Sequence, residues 1–87
     1  MRAIYKYPVE YGVTYLQLTG RVLSAGVQDE RIVVWAVHDD AIEARDVRIE
    51  VVGTGHPLFK LDPDDFLQTV FLGPLVFHAF VMYGGGK

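Results

Sequence analysis

The sequence predicts an all-β domain, a small antiparallel sandwich or partly open barrel of about seven strands. Three observations predict it. Apolar residues recur at every second position over short runs, the pattern of a half-buried strand. Turn signals rich in Gly, Pro and Asp break those runs roughly every 8–12 residues. No segment holds a 3.6-residue apolar period over three turns; residues 64–72, with Phe66, Leu67, Val70 and Phe71, come nearest.

The elements follow in order. Arg2–Tyr7 is aromatic and β-branched, and Pro8 ends it, as suits a strand edge or terminus. After Gly12, residues 14–18 alternate with Leu16 and Leu18 on one face, and Thr19-Gly20 is a turn. Leu23, Ala25 and Val27 recur at period two, and the polar Gln28–Arg31 is short enough for a hairpin. Ile32–Val37 is a nearly continuous β-branched run around Trp35, the signature of a strand covered on both faces. Asp39–Asp46 is charged, with room for one helical turn, and leads into a strand with Val47, Ile49 and Val51 on one face. Gly53-Thr54-Gly55-His56-Pro57 breaks that strand, and a loop runs through Asp62-Pro63-Asp64-Asp65. Phe66–Leu72 and Leu75–Tyr83 are the last two strands, joined at Gly73-Pro74. Residues 1–83 therefore read as one domain, and the glycine-rich 84–87 as a flexible tail.

Composition narrows the function classes. The 87 residues carry a net charge of -3, are 51% apolar and contain no cysteine. A disulfide framework is excluded, zinc is disfavoured, and the apolar fraction excludes disorder. No apolar run approaches the roughly 18–20 residues of a membrane helix, and the first residues lack the apolar core of a signal peptide. These features lead us to expect an intracellular protein without a membrane partner. Mild acidity and scattered arginines argue against nucleic-acid binding, which needs a basic patch.

Catalytic groups are scarce. Ser24 is the single serine and lies outside any Gly-x-Ser-x-Gly elbow, so we expect no catalytic residues and no enzyme. His38, His56 and His78 show no local ligand spacing, and the acidic loop 62–65 lacks the calcium-loop pattern, so neither a metal site nor a cofactor is expected. The most distinctive stretch is the Gly53–Pro57 block. Its two glycines permit positive φ and close approach of a ligand; Gly53, Thr54, Gly55 and His56 could form an anion-binding nest. The plainer alternative is a tight turn. The last strand offers a second clue: Leu75, Phe77, Ala79 and Val81 form one face and Val76, His78, Phe80 and Met82 the other, both largely apolar. One small core cannot cover both faces of several strands, so the surplus points to association with another chain. Trp35, Phe77, His78, Phe80 and Met82 are the candidate interface residues, with self-association through the C-terminal strand as the simplest form.

Four segments occur in a fixed order: Ile4-Tyr5-Lys6-Tyr7, Trp35-Ala36-Val37, Val52–Pro57 and Gly73–Phe80. Together they resemble a family of small uncharacterised proteins of tailed bacteriophages and prophages, over nearly the whole chain. The Gly-Thr-Gly-His-Pro block and the Phe-His-x-Phe strand are the most specific pieces. The resemblance implies a phage product in the host bacterial cytoplasm, and by analogy an oligomer that binds and blocks a host or defence protein. The alternatives are a binder of a small anionic ligand or nucleotide through Gly53–Pro57, and a minor virion structural protein.

Overall fold

The computed structural model describes residues 1–58 and 60–84; of the proposed tail, 85–87 lie outside the described residues. Seven strands form in chain order: β1 (Arg2–Pro8), β2 (Gly12–Leu18), β3 (Val22–Gln28), β4 (Arg31–Asp39), β5 (Arg45–Gly53), β6 (Phe66–Leu72) and β7 (Leu75–Tyr83). They make two antiparallel sheets, β1-β4-β3 and β2-β5-β7-β6, which face one another as a sandwich and do not close into a barrel. Among the described residues the only helical piece is the 3-10 turn Pro63–Asp65, capped by the Asp62 side chain, which accepts from the Asp64 amide.

Turn chemistry fixes the register of both tight hairpins. Gly73-Pro74 joins Leu72 directly to Leu75 across the β6–β7 ladder, with Gly73 at φ 59°. A type I′ turn needs positive φ at both positions, which Pro cannot adopt, so the turn is type II′. Asp29 and Glu30 both sit at positive φ (54° and 61°) between the paired Gln28 and Arg31, the type I′ geometry. Glu30 carries a Cβ where glycine is preferred, so this turn is strained.

The core is aliphatic and narrow. Ile32, Val34 and Ala36 of β4 face Val47, Ile49 and Val51 of β5, with Val70, Ala79 and Val81 beside them. Each set has the period-two spacing of one strand face. The buried stripe of β3 is Val22 and Ala25, with Val27 at its exposed end, and not Leu23, Ala25 and Val27. A bulge between Val22 and Ser24 adds one residue and turns Leu23 outward. A second bulge between Phe66 and Gln68 adds Leu67 to β6, where it packs against the core, and explains the near-helical apolar spacing of that strand. Burial pushes the Tyr7 phenol above its usual range, and Tyr5 adds to this. The neutral form is favoured in the fold, so stability falls as pH rises through about 10.

One side of the sandwich is sealed by side chains. The β3 amides of Val22 and Ala25 point away from β4 and donate to the Tyr83 hydroxyl (2.9 Å) and to Gln68 Oε1 (2.8 Å). These bonds tie the edge of one sheet to the other sheet and leave no β3 amide orphaned at those positions.

Two outcomes are expected in urea unfolding. Glu30→Gly relieves a positive-φ side chain and stabilises by about 0.5–1 kcal/mol after the added chain entropy of glycine. Tyr83→Phe strands the Val22 amide and destabilises by about 1–2 kcal/mol.

Candidate functional site

The Gly53–Pro57 block leaves β5 through a tight turn. The His56 amide donates to the Gly53 carbonyl (3.2 Å), and Gly55 takes φ 90° at the third position, as a type II turn requires. The glycines serve different needs. Gly55 supplies the positive φ, while Gly53 makes room for the His56 ring, whose Cε1 would lie 3.2 Å from an added Cβ. Tyr11 then fixes that ring: its hydroxyl is hydrogen-bonded to His56 Nδ1 (2.8 Å), and its own ring lies edge-on to Phe77.

Beside the turn, His78 of β7 is held at both nitrogens. Its Nε2 is hydrogen-bonded to the Thr54 hydroxyl (2.7 Å) and its Nδ1 to the Thr69 hydroxyl of β6 (2.9 Å). The Thr54 amide donates to the Val76 carbonyl (3.3 Å), extending the β5–β7 ladder into the turn. Two of the three amides at 54–56 are therefore already paired, and no run of free N–H groups remains to form an anion nest.

The turn, β7 and the following loop enclose a hollow of about 300 Å³ on the outer face of the four-stranded sheet. Phe80 is its floor, only 4% exposed, with the Phe66 ring packed against it at 5.8 Å. Leu58 and Phe66 form an exposed apolar rim; His56, Thr54 and His78 line the opposite wall. No lysine or arginine stands among the described residues that line the hollow.

The structure thus gathers Gly53, Thr54, Gly55 and His56 with His78 and Phe80, and separates the other interface candidates. Phe77 points between the sheets and packs on the core. Met82 is half-buried on the outer face, beside Tyr15 and Arg48. Trp35 lies on the outer face of the other sheet, its ring over Gly26. β7 is internal, paired on both sides by β5 and β6, so association through it would use a face of the strand and not an edge. Phe80 is covered within its own chain and Phe77 faces inward, so neither presents the exposed contact expected of it. His38 is remote from the other histidines; it stacks on Tyr5 at 4.7 Å.

Thr69, Tyr11, Leu58 and Phe66 escaped the sequence reading. Counting back from the two-residue Gly73-Pro74 loop puts Thr69 opposite His78, so that pair was detectable from the hairpin. Tyr11 reaches His56 across 45 residues and leaves no local signal.

Thr69→Val is expected to cost about 1–2 kcal/mol in chemical unfolding, since its bond to His78 is partly buried. Thr54→Val should cost less, about 0.5 kcal/mol, because water replaces an exposed partner. Equal losses would show that both bonds are equally shielded.

No curated protein and no solved structure matches the chain. Over residues 1–86, nearly its full length, it matches the family described as Domain of unknown function (DUF7352), and the chain belongs to that family.

Proposed function

We propose that this domain is a non-enzymatic protein-binding module, and that the hollow over Phe80 receives an apolar or aromatic side chain of its partner. The observation that carries this reading is the state of the polar groups around the hollow. His78 has both nitrogens engaged, and Thr54 is engaged through its amide and its hydroxyl. An apolar occupant would then strand none of these groups, while gaining contact with Phe80, Leu58 and Phe66. Interface hot spots have this form, a large side chain seated in a desolvated pocket with a wetter rim. Following the resemblance to phage proteins, we place the partner among host or defence proteins of the bacterial cytoplasm.

An anionic ligand or nucleotide fits less well. The hollow offers no lysine or arginine among its described lining residues, and the turn has spent two of its amides. Phosphate recognition relies on both kinds of group.

Titration of the ¹⁵N-labelled chain with N-acetyl-tyrosinamide and, separately, with inorganic phosphate tests the choice. The aromatic probe should shift the amides of Thr54, Gly55, His56 and Phe80, and Phe66→Ser should remove the response. Shifts with phosphate alone would favour the anion reading, and silence with both would overturn the hollow as a recognition site.

A further inference from the structure

A second surface is carried by the hydrogen-bond parity of the four-stranded sheet, independently of the hollow. In an antiparallel ladder each strand directs alternate residues to its two neighbours. The Gly84 amide donates to the Asp46 carbonyl and the Thr54 amide to the Val76 carbonyl, both in the β5–β7 register. Even-numbered residues of β5 therefore bond to β7, and odd-numbered ones to β2. Their partners on β2 are Gly12, Thr14, Leu16 and Leu18. The N–H and C=O groups of Val13, Tyr15 and Gln17 are left on the open side of β2, where no strand of the described residues lies.

The other edges are guarded. On β1 the Val9 amide bonds to Ile32 and the Met1 carbonyl accepts from Asp40, so odd residues face β4 and Arg2, Ile4 and Lys6 face outward. Self-pairing of β1 about Ile4 would set Arg2 against Lys6 of the copy, and Pro8 has no N–H to give. On the far side, β3 and β6 lie against each other, with the Gln68 and Tyr83 bonds between the sheets. β2 alone has none of these protections. Gly12–Leu18 contains no charge and no proline, and Val13 and Tyr15 are 41% and 69% exposed. A flat, uncharged edge of this kind is a template for another strand.

We propose that β2 pairs antiparallel with β2 of a second copy of this chain, with the twofold axis beside Tyr15. Tyr15 then meets Tyr15 of the copy, and Val13 meets Gln17 of the copy, in about six main-chain hydrogen bonds. The free groups are symmetric about Tyr15, so the edge is complementary to itself, as a closed dimer requires. Next to this edge, Arg48 and Glu50 lie opposite Tyr15 and Val13 on β5 and neutralise each other at 2.7 Å, while Asp46, opposite Gln17, accepts from the Gln17 side-chain amide.

Sedimentation analysis with amide hydrogen exchange on the same sample tests the proposal. The expected mass is twice the 9.8 kDa of the chain, with Val13, Tyr15 and Gln17 amides protected alongside those of Thr14, Leu16 and Leu18. Tyr15→Lys sets two lysines face to face and should return a folded monomer with Val13 and Gln17 exchanging freely. Gln17→Pro removes one outward N–H without touching the β5 ladder and should do the same, which covers the case of a misfolded Tyr15→Lys chain. A monomer at every concentration overturns the proposal. So does a dimer in which 13, 15 and 17 exchange freely, or one that protects Arg2, Ile4 and Lys6 instead. The tyrosinamide titration reads the hollow over Phe80 and leaves this pattern unaffected, so either result can fail alone.

Discussion

The pairing of β5 with β7 is the contact on which the molecule depends. It is the central pair of the four-stranded sheet, and its register sets what every neighbouring strand presents. With Ile49 opposite Val81 and Val51 opposite Ala79, one side of the pair is wholly aliphatic and closes against Ile32, Val34 and Ala36. The same register sends Phe80 and His78 to the other side. A slip of one residue would exchange those faces, placing an imidazole in the core and leaving Val81 outside. Core and hollow are thus two readings of one ladder.

The hollow exists because the chain covers part of that outer face with itself. The 3-10 turn packs against β7, and Phe66 follows it onto Phe80. This cover uses apolar surface that a sheet of this size could not otherwise shield, yet it stops short of the Gly53–His56 turn. The histidines behave differently on either side of the gap. His78 is clasped by two hydroxyls, while His56 is held at a single nitrogen by Tyr11, with its ring lying over Gly53. One is a strut between strands, and the other is part of the rim.

Much of the fold was legible in the sequence because period-two patterning and turn residues are local signals. The Val47-Ile49-Val51 stripe, the Gly73-Pro74 hairpin and the break at Gly53 are all readable over a few residues. The two bulges were not, since an inserted residue looks like a change of period; Phe66, Leu67, Val70 and Phe71 resemble a helix face for that reason. The site was half legible. Gly55 and His56 stand out by composition, and the structure brings them together with His78 and Phe80. Burial of Phe80 could not be read, because it depends on where the loop after Pro57 travels. The apolar two-sidedness of β7 is real, but the chain itself answers most of it, and the unprotected edge lies on β2, a strand with unremarkable composition.

The bulge in β6 has a consequence for how this surface can vary. Were the ladder regular beyond Gln68 with every residue kept, Leu67 would lie opposite Phe80 and Phe66 opposite Val81, facing the other sheet. The insertion therefore sets the identity of the rim from one side, while Gln68 just beyond it fastens the far edge of the sandwich through Ala25. A lineage can exchange the side chain at 66 and reshape the hollow at little cost to the scaffold. Deleting Leu67 would restore a regular ladder with Phe66 still opposite Phe80 and Gln68 still opposite Ala79, so rim and seam would survive and the loss would fall on the Leu67 contact with the core.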